Sequence, residues 1–238
     1  MLGLPDAITA CLFDLDGVLT KTAEVHARAW KETFDRFLAK RGEKPFELVH
    51  DYDEYVDGKP RLDGVRDFLA SRGIELPQGA PDDPPDADTV NGLANAKNEL
   101  VLRLIREQGV EAYEGSVRYL RAARDAGLRR AVVSSSHNCH DVLVAAGIED
   151  LLEVRIDGVV AEQRHLRGKP APDTFLEAAR VLGVAPASAA VFEDALAGVQ
   201  AGHDGGFGWV VGVDRAGQRD ALLAHGASVV VDDLAELL

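Results

Sequence analysis

Hydrophobic and polar positions follow two rhythms along this chain. Between residues 22 and 107 the apolar residues recur at helical spacing. Val25, Ala29, Phe34, Phe37 and Leu38 share one face of a segment running from Thr22 to Arg41, with Gly42 as its stop. Val65, Phe68 and Leu69 do the same for Leu62 to Ser71, closed by Gly73. Leu93, Leu100, Leu102, Leu104 and Ile105 predict a third helix over Asn91 to Glu107. Phe46 to Tyr55 is mixed and acidic, and Gly58-Lys59-Pro60-Arg61 breaks it. Gln78 to Asp88, with Pro81, Pro84, Pro85 and its aspartates, reads as a loop that does not pack. No convincing strand falls between residues 21 and 112.

Elsewhere short apolar runs alternate with helical segments. Ala10–Phe13, Arg130–Val133, Ala189–Phe192, Trp209–Val213 and Ser228–Val231 have the length and content of buried strands, and Val154–Val160 is read as another. Helical patterns over Ser116–Ala126, Asp141–Ala146, Asp173–Leu182, Ala195–Ala201 and Arg219–Ala224 lie between them. This alternation predicts an α/β fold with a parallel sheet covered on both faces, a Rossmann-like core. The core is split in sequence, residues 1–20 and 113–238, by an all-helical cap domain at 21–112. An insert at that point would sit over the carboxyl edge of the sheet as a lid.

Composition narrows the classes. The 238 residues are 46% hydrophobic, ordinary for a soluble globular chain, and no apolar run is long enough to cross a bilayer. Met1 to Asp6 has no basic flank or extended apolar stretch, so no signal peptide is expected. Cys11 and Cys139 lie far apart and form no disulfide framework, which points to a reducing, cytoplasmic setting. The formal net charge of −14 argues against nucleic acid or an anionic membrane as partner. It also means that any anionic substrate needs local cations. A monomer acting on a small molecule is the expectation.

The chemistry gathers at strand ends, where open α/β sheets bind their ligands. The first strand runs into Asp14-Leu15-Asp16-Gly17, and the turn that Gly17 permits can bring both carboxylates to one site. Ser134 follows Ala131-Val132-Val133. Lys169 opens the loop Gly168 to Asp173. Glu193 and Asp194 follow Ala189 to Phe192. If the strands lie side by side, Asp14, Asp16, Glu193 and Asp194 converge. At roughly 4 Å and an effective dielectric near 20, each like-charge pair costs about 4 kcal/mol. A hard divalent cation with oxygen ligands relieves such a cluster, and magnesium held by a few carboxylates plus a substrate phosphate fits. Lys169 and Ser134 then suit a phosphoryl group, as one fixed cation and one hydroxyl donor.

With these motifs in this order the sequence resembles the haloacid dehalogenase superfamily of phosphoryl-transfer enzymes over nearly its whole length. Phe13 to Glu24 with His26, Arg28, Ala29, Trp30 and Lys31 is similar to its β-phosphoglucomutase-like family. So are Gly58 to Arg61, Lys97-Asn98, Ser134 to Asn138, Gly168 to Asp173 and Glu193 to Gly198. The resemblance implies an aspartyl-phosphate route with Asp14 as nucleophile and Asp16 as general acid and base. It implies Mg2+ held by the Asp14 carboxylate, the Asp16 backbone carbonyl and Asp194, with Glu193 beside them, and phosphoryl oxygens held by Ser134 and Lys169. On the substrate-binding side, Arg61 would grip the other phosphate. Trp30 and Lys97 would meet the sugar, and Ser136 and Asn138 would surround the phosphate. Thr22 would sit at the hinge and His26 would link cap closure to the protonation of Asp16. Isomerisation of a sugar phosphate through a bisphosphate follows. A sugar-phosphate phosphatase with the same residues is the alternative, and a non-catalytic sensor a more distant one. Two positions depart from the pattern that the resemblance implies: Lys21, where an aspartate is usual, and His137, where the best-studied mutase pattern has a lysine.

Overall fold

The computed structural model describes residues 2–238. The chain divides into two compact units, one of residues up to Lys21 together with Val110–Leu238, the other Thr22–Gly109. The first is built on six parallel strands: β1 (Ala10–Phe13), β2 (Arg129–Val133), β3 (Val154–Ile156), β4 (Ala189–Glu193), β5 (Trp209–Val213) and β6 (Val229–Val231), in the order β3-β2-β1-β4-β5-β6. The chain lays β2 and β3 to one side of β1 and returns to lay β4 on the other. The order therefore reverses between β1 and β4, the place where a ligand crevice forms in open sheets. Phe13 is in register with Val132 on β2 and with Phe192 on β4, so these strands end at one level and deliver their next residues to one edge.

Small residues in the strands explain how the layers close. Ala10, Ala131 and Ala189 pack with Phe175, Ala178, Ala179 and Leu182 of α7 (Asp173–Leu182). Elsewhere in the unit Phe13 stacks on Phe192, centroids 4.5 Å apart, and meets Tyr119 of α4 (Glu114–Asp125) edge-on at 6.2 Å. The expected strand from Val154 to Val160 is shorter than its apolar run. It stops at Ile156 because the Asp157 carboxylate accepts the Val160 amide at 3.0 Å and starts α6 (Gly158–Gln163). An aspartate at a helix start outweighs the two valines that follow it.

The second unit holds α1 (Ala23–Ala39), α2 (Arg61–Ser71) and α3 (Val90–Gln108). Its core is aromatic: Phe34 lies 5.1 Å from Trp30, 5.3 Å from Phe46 and 4.1 Å from Phe68. The mixed segment before α2 forms a π-helical turn at Tyr52–Val56, anchored by buried Phe46 ahead of it and by its own last residue, buried Val56. The Pro-rich stretch 78–88 is exposed, yet the expectation that it does not pack is corrected by side chains of α3. Asn91 Nδ2 donates to the Gly79 carbonyl at 3.0 Å, and Asn95 Nδ2 to the carbonyls of Pro81 at 3.0 Å and Asp83 at 2.9 Å. Thr89 accepts the Gly92 amide as the N-cap of α3 and donates to Asp83. Polar tethers hold this loop where apolar contacts do not. Among the described residues, no helix is long and apolar enough to cross a membrane.

Candidate active site

Asp14 is the first residue beyond β1, and its amide donates to the Phe192 carbonyl at 2.9 Å, which fixes the end of β1 against β4. Lys169 reaches the same edge from the loop before α7. Its buried ammonium donates to Asp14 Oδ1 at 2.5 Å, to the Val133 carbonyl at 3.0 Å and to Glu193 Oε1. Burial works against the Lys169 charge, but Asp14 and Glu193 more than offset it, and its pKa stands above the ordinary lysine value. Burial also pushes the Asp14 pKa up. Lys169 draws it down without cancelling the push, which Glu193 and Asp16 reinforce.

Asp14, Glu193 and Asp194 each offer a carboxylate oxygen, all within 4.8 Å of one another, and all three residues are buried. Three buried acids thus face one ammonium. This set, all hard oxygen with an excess of negative charge, fits a hard divalent cation. The carboxylate of Asp16 is not part of this cluster.

Two glycines make the approach of these acids possible. Gly17 has φ +87°, and a Cβ there would fall 1.8 Å from Asp194 Oδ2. A Cβ at Gly198 would fall 1.9 Å from Glu193 Oε1. Glu193 also accepts the Ala195 amide at 3.2 Å, just before α8 (Leu196–Asp204). The Asp-x-Asp-Gly and Glu-Asp-x-x-x-Gly patterns are therefore steric statements as well as chemical ones.

Beyond β2 the backbone turns through two serines. Ser134 Oγ accepts the Ser136 amide and Ser136 Oγ the Asn138 amide, each at 3.1 Å. Each hydroxyl keeps its own proton for a further acceptor. Asn138 opens α5 (Cys139–Ala146). His137 points elsewhere: its Nε2 lies 3.2 Å from exposed Glu162, and its ring packs over Gly158.

In the helical unit the structure brings His26, Trp30 and Lys97 together. Lys97 Nζ lies 2.9 Å from His26 Nδ1 and 4.8 Å from the centre of the Trp30 ring. Trp30 is nonetheless part of the aromatic core. Arg61 is the first residue of α2; its Nε is buried with no partner among the described residues, and burial lowers its pKa. Thr22 is buried at the start of α1, its carbonyl accepting the His26 amide at 3.0 Å. Lys21, the charge reversal in the sequence, has a partner 90 residues away: Nζ donates to Glu111 at 2.8 Å and the Lys21 amide to the Glu111 carbonyl at 2.8 Å.

Sequence reading passed over several residues that hold the turn after Asp14. Buried Ser116 donates to the Val18 carbonyl at 2.6 Å, and the loop after β5 reaches the Gly17 carbonyl through Arg215. The only signal available was position, since Asp214 and Arg215 also follow a strand at its carboxyl end.

Comparison with known proteins agrees with this geometry. The haloacid dehalogenase-like hydrolase family matches residues 8–206. A β-phosphoglucomutase of Mycobacterium bovis is 55% identical over all of this chain and 94% of its own length, and one of Bacillus subtilis is 32% identical over 96% and 91%. A crystal structure of β-phosphoglucomutase from Clostridium difficile superposes with a TM-score of 0.76 at 26% identity, covering 97% of this chain and 93% of that one.

Proposed function

Because the chain belongs to the haloacid dehalogenase-like family, in its β-phosphoglucomutase-like branch, we propose that it interconverts β-glucose 1-phosphate and glucose 6-phosphate by phosphoryl transfer through the 1,6-bisphosphate. The observation that carries the chemistry is the buried Asp14–Lys169–Glu193 array with Asp194 beside it at the carboxyl edge of the sheet.

In this reading an Asp14 oxygen attacks phosphorus while the bond from phosphorus to the sugar oxygen breaks. Asp16 protonates the departing oxygen. In the return step Asp16 takes the proton from the incoming sugar hydroxyl, whose oxygen displaces Asp14. Lys169 is already desolvated and fixed by three acceptors, so it meets developing phosphoryl charge with little reorganisation. Ser134, with Ser136 and Asn138, contributes hydroxyl and amide donors to the same oxygens. Asp14, Glu193, Asp194 and the Asp16 carbonyl would hold Mg2+, which supplies charge neutralisation at the transferring group. Arg61, Trp30 and Lys97 of the helical unit recognise the sugar and its second phosphate, with Thr22 and His26 at the start of that unit coupling its closure to Asp16. Exclusion of water then lets a sugar hydroxyl, and not solvent, accept the phosphoryl group. The free thiols Cys11 and Cys139 suit the reducing cytoplasm, where the protein would act as a monomer.

The test is a product assay with β-glucose 1-phosphate, Mg2+ and a trace of glucose 1,6-bisphosphate. Glucose 6-phosphate is the expected product. Inorganic phosphate as the main product overturns the reading.

A further inference from the structure

The loop after β5, residues 214–218, carries no residue that the chemistry above uses, yet it touches both acidic turns. Arg215 Nε donates to the Gly17 carbonyl at 2.8 Å and its Nη1 to the Asp232 carbonyl at 2.7 Å. The guanidinium carbon lies 3.7 Å from the centre of the Tyr113 ring, and the Tyr113 amide donates to the Leu19 carbonyl at 3.0 Å. Three residues on, Gln218 Nε2 donates to the Asp194 carbonyl at 3.1 Å. The Asp214 carboxylate accepts the Gln218 amide at 2.9 Å and closes the loop on itself. One short loop thus grips the carbonyl next to Asp16 and the carbonyl of Asp194.

The two turns need such a tie. They meet at Gly17, which has no side chain to lock them: a Cβ there would lie 1.8 Å from Asp194 Oδ2. The Gly17 amide is held within its own turn by the Thr20 carbonyl at 2.8 Å, but that bond does not join the turn to Asp194. Other bonds hold each turn singly, Ser116 to the Val18 carbonyl and the Ala195 amide to Glu193, whereas the loop after β5 reaches both. We propose that Arg215 and Gln218 are positioning residues for phosphoryl transfer, holding the Gly17 and Asp194 carbonyls in one register. Arginine suits the place because its planar fork reaches two carbonyls while stacking on a ring, and lysine does not do all three. The inference rests on the reading above for the roles of Asp14 and Asp16.

Arg215→Met, Arg215→Lys and Gln218→Met test it through kcat and KM with β-glucose 1-phosphate, hydrolysis of p-nitrophenyl phosphate, and the Mg2+-dependent rise in unfolding midpoint of the substrate-free protein. Arg215→Met is expected to lower kcat about 100-fold with KM within about twofold, the cost of a small misalignment of reacting groups. Arg215→Lys recovers part of that loss. Gln218→Met raises about tenfold the Mg2+ concentration that gives half the stabilisation. The proposal is overturned if the Met variants keep kcat and Mg2+ response within twofold. It is equally overturned if kcat falls only in step with the folded fraction, alike for Met and Lys. Should Arg215→Met not fold, Arg215→Lys and Gln218→Met decide on the same criteria. If the unaltered protein does not turn over β-glucose 1-phosphate, the substrate reading fails, while p-nitrophenyl phosphate and the Mg2+ response still judge the loop.

Discussion

At the centre of the sheet unit lies a buried ammonium, Lys169, bonded to two carboxylates and 4.9 Å from the centre of the Phe175 ring. At the centre of the helical unit lies Phe34, among Trp30, Phe46 and Phe68. Both residues are buried, but for opposite reasons. Phe34 is there because removing an aromatic ring from water is favourable. Lys169 and its acids are there although desolvation opposes burying their charges, and the fold holds them against one another with an excess of negative charge left over. The core of the helical unit therefore draws its stability chiefly from apolar packing, with polar tethers such as Thr89 and the Arg72–Asp51 pair at its margins. The stability of the sheet unit is tied to charge balance, and through that to a cation that offsets the excess of carboxylates.

The largest effect separating the two is on turnover. Asp14→Asn is expected to lower it by at least about 10⁴-fold, as loss of a nucleophile does. The same change should not lower the unfolding midpoint of the metal-free protein. A carboxyl whose pKa the fold raises is destabilising when ionised, and Asn removes that ionisation. A loss of stability comparable to the loss of function would break the distinction.

Next in size is a matched pair read by urea denaturation. Lys169→Met leaves buried carboxylates without their counter-ion and is expected to cost about 3–5 kcal/mol without Mg2+, much of it regained in millimolar Mg2+. Phe34→Ala should cost a similar amount, about 3–5 kcal/mol, by cavity formation, with no regain from Mg2+. Equal responses of the two variants to Mg2+ would show that the units are not stabilised differently.

The smallest effect concerns the tethered loop of the helical unit. Thr89 both caps α3 and holds Asp83, so Thr89→Ala should lower stability by about 1 kcal/mol, with sharply increased proteolytic cleavage between residues 78 and 88. Cleavage no faster than in the unaltered protein would show that Asn91 and Asn95 suffice to hold the loop.

Much of this architecture could be read from the order of residues alone. Strand-length apolar runs at β1, β2, β4, β5 and β6, and helical spacing at α1, α2, α3 and α7, are local patterns set by which faces must be buried. Asp14, Ser134, Glu193 and Asp194 were legible because a polar group at the end of a buried strand has one place to go, and Lys169 because its Gly168-Lys169-Pro170 loop stood beside them in the motif order. Local pattern failed where a contact from elsewhere took precedence. The apolar run from Val154 breaks at Asp157, whose capping bond ends the strand, and the mixed segment near Tyr52 winds into a π-helical turn anchored by buried Phe46 and Val56. The Pro-rich stretch is held by asparagines of a later helix. Lys21 finds Glu111 only once the chain has crossed back.

The hydrophobic pattern and the residue types at strand ends thus determined the class of fold and the kind of chemistry. Tertiary structure alone decided which carbonyls Arg215 and Gln218 hold and how close Asp194 comes to Gly17. Those distances join residues 24 to 198 positions apart, and no local propensity encodes them.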